Sequence, residues 1–228
     1  MPADLLVIVP SRGRPHNIAA LYDAWSETAT GAAALLVAAD DDDPTLDGYR
    51  EVCAERGIEL TVGPRIRMVP TLNKVATERA PRYFALGFLG DDHRPRSLGW
   101  DAHYLAELRT MGTGFVYGND LLAGERLPTQ VAMTSDIVQA LGAMVPAPVT
   151  HLYADNTWWD LGHALDRITY LPDVIVEHMH YLNGKSEIDP GYREANASAA
   201  AESDRRIYAR WYADQMSLDA EKLRSLIA

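Results

Sequence analysis

The run FALGFLGDDHRPRSLGW, residues 84–100, leads an apolar stretch into two adjacent aspartates, Asp91 and Asp92. Neighbouring carboxylates just past a buried strand repel each other and lose hydration, so something positive must stand beside them. Their hard oxygens suit Mg2+ or Mn2+. Far along the chain, EHMH sets His178 and His180 two residues apart, which on a strand puts both on one face. Carboxylates joined by imidazole favour a borderline ion such as Mn2+ over Ca2+. Plainer readings compete: Asp91 capping a turn beside a solvated Asp92 with ordinary histidines, or zinc on both histidines and one carboxylate.

Cations gather near the same segments. Arg12, Arg14, Lys74, Arg94 and Arg96 lie on or beside loops that follow apolar runs, and Lys185 sits in NGKSEIDPG just after His180. Several cations around a metal are what a diphosphate requires, although each alone also fits a solvated surface. The chain has neither a Walker A sequence nor GxGxxG, so a P-loop or dinucleotide fold is not supported.

The elements that must position these groups alternate. LLVIV (5–9) is a short all-apolar strand that stops at PSRGRPHN, and a helix follows over 17–27 with apolar residues at i, i+3, i+4 and i+7. ALLVAA (34–39) is a second strand ending in four aspartates. A helix over 45–56 closes at Gly57, then come a strand IELTV, a helix over 71–80 and a fourth strand YFALGFL. Such alternation predicts an α/β domain with a mostly parallel sheet, whose ligands bind beyond the carboxyl ends of the strands. Past residue 95 it weakens. Helices are expected over 98–109, over 135–141 and through DNTWWDLGHAL, with strands at GFVYGND, TQVAMT, ITYL and VIVEHMHYL and a helical, Ala-rich tail from about residue 192. Trp158 and Trp159 are adjacent, so at most one can face a site.

The totals fit one large domain: 228 residues, 47% hydrophobic and 23% charged. A net charge of −11 argues against a protein that coats nucleic acid or anionic membrane. No apolar run approaches the roughly 18–20 residues that cross a bilayer, and MPADLLVIVP lacks the basic start of a signal peptide. The single cysteine, Cys53, fits a reducing cytoplasm.

LLVIVPSRGRPHNI, VAADDDDP and PTLNKVATERAPRYFALGFLGDDHRP together resemble the nucleotide-sugar half of a GT-A glycosyltransferase, close to family 2. The resemblance covers residues 5–96 and, more loosely, Asp155 and His178. GDDH departs from the strict DxD motif because its aspartates are adjacent. It implies a GT-A (Rossmann-like) α/β fold with a helical C-terminal tail. Within one domain of 228 residues, 1–96 would bind the donor, 97–190 would bind the acceptor and complete the metal site, and 191–228 would form the tail. By the same resemblance Pro10, Ser11, Arg12 and Arg14 line the nucleotide site, Asp40 or Asp41 holds the base, and Asn73 or Lys74 supports the donor. Asp91 faces ribose or metal, Asp92 ligates the metal, and His178, with His180 as substitute, completes the ligands. Lys185 joins the donor side, and, apart from the resemblance, the loop GKSEIDPGY (184–192) is placed to close over bound donor.

The implied activity is metal-dependent transfer of a sugar from a nucleotide-diphosphate sugar to a hydroxyl on a glycan, metabolite or modified DNA base. Mn2+ or Mg2+ would stabilise the leaving diphosphate. An inverting enzyme also needs a base; Asp155, in YADNTWWD, is the candidate, with Asp120 and Asp160 in reserve and a first-turn capping role as its plain alternative. A nucleotidyltransferase and a catalytically degenerate sugar-nucleotide binder are the competing functions.

Overall fold

The computed structural model describes residues 3–227. Strand β1 (Leu5–Ser11) runs beside β2 (Ala33–Asp40), which pairs with β3 (Glu59–Gly63), and on its other side beside β4 (Ala85–Phe88), all parallel. Helices α1 (Pro15–Thr28), α2 (Leu46–Arg56) and α3 (Met68–Arg79) are the crossovers. Because β1 lies between β2 and β4, successive connections leave it in opposite directions, and a crevice opens at its carboxyl end. Ser11, Asp40 and Asp91 meet at that edge.

The second half is mixed. A three-residue strand β5 (His93–Pro95) precedes α4 (Trp100–Met111), β6 (Phe115–Asn119), β7 (Val131–Thr134), α5 (Ser135–Leu141), α6 (Ala154–Leu165) and β8 (Ile168–His178). The eight-stranded sheet has the order β3-β2-β1-β4-β7-β6-β8-β5, with β7 antiparallel to both neighbours and β5 antiparallel to β8. Beyond β8 lie α7 (Pro190–Ala195), α8 (Ser198–Asp214) and α9 (Met216–Ile227).

Strand periodicity divides the core. Leu5, Val7 and Val9 pack with Ile18, Leu21, Tyr49, Trp100 and Leu105 on one face. Leu6 and Ile8 pack with Leu72, Phe115, Trp158, Leu161, Trp211 and Leu223 on the other, so the tail completes the second layer.

Two expectations change. ITYL and VIVEHMHYL form one strand, β8, whose register beside β6 jumps from Leu171 opposite Gly118 to Ile175 opposite Asn119. A side chain at Gly118 would meet the Val174 carbonyl at 2.3 Å, so the bulge needs glycine there. The strand also stops at His178. His180 therefore lies outside it, its Nδ1 accepting the Leu182 N–H at 3.2 Å as the cap of a short 3-10 turn.

Candidate active site

The adjacent aspartates turn to different partners. Both are buried. Asp91 accepts from Ser11 Oγ at 2.5 Å and from Arg14 Nη1 and Asn17 Nδ2 at 3.2 Å each. It thus ties β1 to the start of α1. Burial and the charge of Asp92 push its pKa up, against Arg14. Asp92 instead faces His178, with Oδ2 3.3 Å from Nε2. Burial opposes its charge, but His178 and His93 hold its carboxyl well below the usual range.

His178 is placed by backbone pairing at the end of β8: its N–H donates to the Asp120 carbonyl at 2.9 Å, and the next N–H, of Met179, donates to the Asp92 carbonyl at 2.9 Å. Its Nδ1 is buried without a hydrogen bond, 3.9 Å from Asp120 Oδ2. Burial disfavours the imidazolium, yet Asp120 and Asp92 outweigh it and raise its pKa to about 9. The ring of His93 stacks on that of His178 with centroids 4.2 Å apart. His93 is 1% exposed and accepts the Gly90 N–H at Nδ1, 2.9 Å away. Burial and the neighbouring His178 lower its pKa to about 3.

Among the described residues, Asp92, His93 and His178 each bring a ligand atom within 4.8 Å of the others. One carboxylate and two imidazoles, one with an orphaned buried nitrogen, fit a borderline divalent ion. Asp91 and His180, both expected among the ligands, do not join this group: Asp91 is engaged by Arg14, Ser11 and Asn17, and His180 by its turn. His93 was the ligand candidate missed, though it directly follows the aspartates in the chain.

Around this centre the other expected residues fall unevenly. Arg12 bonds Asp40 at 2.9 Å, and Asp40 also lies 4.0 Å from Arg65. Asp41 is exposed, its backbone paired to Gly63 at 2.7 Å. Pro10 is half-buried at the end of β1. Asn73 leaves the expected site: its amide accepts the Met144 and Val145 N–H groups at 3.0 and 2.8 Å and donates to the Val145 carbonyl, pinning a loop. Lys74 is exposed on α3, and Lys185 pairs with Glu177, which also holds Arg96.

Asp155 lies half-buried in the first turn of α6, its Oδ1 accepting the Asn156 N–H at 2.9 Å, and burial raises its pKa. The loop before it is anchored from the tail: buried Asp204 accepts the backbone N–H groups of Thr150, His151 and Leu152 at 2.8, 2.9 and 3.0 Å. The reserve acids are occupied. Asp120 accepts from Leu122, Ala123, Gly124 and Thr129, and Asp160 from Tyr208. Trp158 is core, bonded to the Met144 carbonyl at 2.9 Å, while Trp159 is half-buried against Tyr117 and His163.

No protein-family model and no curated protein matches the chain by sequence. Solved structures do match by shape. The mannosyltransferase PcManGT of Pyrobaculum calidifontis, in complex with GDP-Man and Mn2+, superposes with TM-score 0.60 at 14% identity, over 99% of this chain and 79% of that one. TarS 1–349 of S. aureus with UDP gives 0.59 at 12% identity, over 94% and 73%. The glucosyl-3-phosphoglycerate synthase of Mycobacterium tuberculosis with Mn2+, UDP and phosphoglyceric acid gives 0.56 at 15%, over 80% and 74%. Against a longer TarS structure the match spans 43% of that chain. The fold is therefore that of the GT-A glycosyltransferases. No helix among the described residues is long and apolar enough to cross a membrane.

Proposed function

We propose that the protein is a metal-dependent glycosyltransferase that moves a sugar from a nucleotide-diphosphate sugar to a hydroxyl acceptor. The observation that carries this reading is the convergence of Asp92, His93 and His178 beside Arg14, at the carboxyl edge of the parallel strands in a GT-A fold. Residues 1–96 form the donor half, 97–190 the acceptor half and 191–228 the tail. The free, buried Cys53 suits a cytoplasmic setting.

In this reading Asp92, His93 and His178 would hold Mn2+, the borderline ion that their donor set fits, and it would supply charge stabilisation for the leaving diphosphate. Arg14, with Arg12 behind it, supplies fixed positive charge to the donor's phosphates. Asp40 faces the base, and Asp91 fixes Arg14 and the β1 loop. Asp155 takes the proton from the acceptor hydroxyl, a role favoured by a raised pKa and a carboxylate with no side-chain partner among the described residues.

Thermal unfolding with Mn2+ or Mg2+ and each of UDP, GDP, dTDP and CDP, singly and paired, tests this. A nucleotide at about 100 times its Kd adds about 2.7 kcal/mol, or about 5–10 °C in Tm at this size. A shift that needs metal and one nucleotide together, and is absent in Asp92→Asn, supports the donor site and names its base. No shift with any pair would refute it.

A further inference from the structure

Tyr192 ends the GKSEIDPGY loop expected to close over the donor, but the sequence assigned it no role of its own. It belongs to α7, in a strap of residues 181–194 that returns across the carboxyl edge of the sheet. Its hydroxyl donates to Asp92 Oδ2 at 2.5 Å, a contact between residues 100 apart in the chain. That is the same oxygen that faces His178 Nε2.

The ring is held from several sides. The Arg14 guanidinium lies 4.4 Å from its centroid, and the rings of His180 and Tyr181 meet it edge-on with centroids 4.9 Å away. Asp189 caps α7 by accepting the Tyr192 N–H at 2.9 Å, and takes two hydrogen bonds from Arg14 at 2.5 and 2.6 Å. A β-carbon at Gly191 would come 3.0 Å from Arg14 Nη2, so a side chain there would press on the guanidinium. Glu194 bonds Arg65 and Arg67 at the far end. A residue so constrained delivers its hydroxyl to one place.

We infer that Tyr192 is a positioning residue for the metal centre: its hydrogen bond fixes the Asp92 carboxylate, so that seating the strap and binding the cation are coupled. The inference rests on the metal reading of Asp92, His93 and His178. Carboxylate ligands are themselves held by hydrogen bonds, and losing such a partner costs about 10- to 100-fold in metal affinity. Linkage makes the coupling reciprocal, so the cation tightens the strap by the factor with which the strap tightens the cation.

The test is a Mn2+ titration of the full chain, with free ion followed by electron paramagnetic resonance, on wild type, Tyr192→Phe and Tyr181→Phe. Tyr192→Phe should raise the Mn2+ Kd about 10-fold or more, with the metal-free Tm lowered by no more than about 4 °C. Tyr181→Phe, which leaves the Asp92 contact intact, should bind as wild type does. Amide exchange over residues 181–194 should slow with Mn2+ in wild type and not in Tyr192→Phe. A Tyr192→Phe protein that binds Mn2+ as tightly as wild type, or more tightly, overturns the inference and leaves the metal site standing. Wild type that binds no Mn2+ overturns both.

Discussion

Asp91 and Asp92 are neighbours in the chain with separate counter-charges. The first meets Arg14 at 3.2 Å and the second meets His178 at 3.3 Å. Two buried carboxylates are thereby accommodated without sharing one ion, and each ties a different part of the chain to β4: Asp91 the β1 loop and α1, Asp92 the end of β8.

The two should fail differently. Asp92→Asn is expected to abolish Mn2+ binding and to cost stability as well, because His178 and Tyr192 lose a charged, buried acceptor. Asp91→Asn should keep Mn2+ binding but cost about 1–3 kcal/mol in stability, because Arg14 loses a charged, buried acceptor. Urea unfolding beside a Mn2+ titration separates them, and identical behaviour of the two variants would count against separate roles.

Asp155→Asn should lower kcat about 100- to 10,000-fold, the usual scale for removing a general base. Binding of the donor nucleotide, followed calorimetrically, should stay within about twofold. Retained turnover would move the base elsewhere.

Asp43 provides a pH signature beside the β1 loop. It is buried, and burial opposes its charge. The donors prevail: Thr45 N–H and Oγ1 at 2.7 and 2.8 Å, and Gly13 N–H at 2.7 Å, keep its pKa below the usual carboxylate value. A carboxylate depressed in the folded state adds stability above the unfolded pKa of about 3.9, and loses it as pH falls through the folded value. Asp43→Asn should therefore be less stable than wild type by about 1.5–3 kcal/mol at pH 7, with the gap closing toward pH 3. Equal gaps at both pH values would rule out this source of acid sensitivity.

Asp204→Ala removes the acceptor for three backbone N–H groups ahead of α6. A loss of about 3 kcal/mol is expected, seen as a Tm lower by about 6–12 °C. A drop under about 2 °C would mean that the loop has other support.

Much of the N-terminal half was legible in the sequence. All-apolar runs such as LLVIV declare strands covered on both faces, and their polar ends, at Ser11, Asp40 and Asp91, share one edge because parallel strands share one direction. What stayed hidden has physical reasons. β5 is three residues long, too short for any periodicity, so His93 carried no strand signal. The β8 bulge breaks the two-residue rhythm and made one strand resemble two. Tyr192 sits in a six-residue helix, and its partner lies 100 residues upstream, a pairing that no local pattern records.

The bidentate clasp between Arg14 and Asp189 joins residues 175 apart, which sets a clock on assembly. At the usual 5–20 residues per second of synthesis, Arg14 emerges about 9–35 s before its partner. Its other carboxylate, Asp91, follows after 77 residues, so the β1 loop can be set in the growing chain well before the strap exists. During that interval the nascent chain carries Arg14 and Asp92 without the contacts that Asp189 and Tyr192 supply. The contacts from Arg14 to Asp189 and from Asp92 to Tyr192 are therefore the last at this edge of the sheet to form, once residues 189–192 have been made.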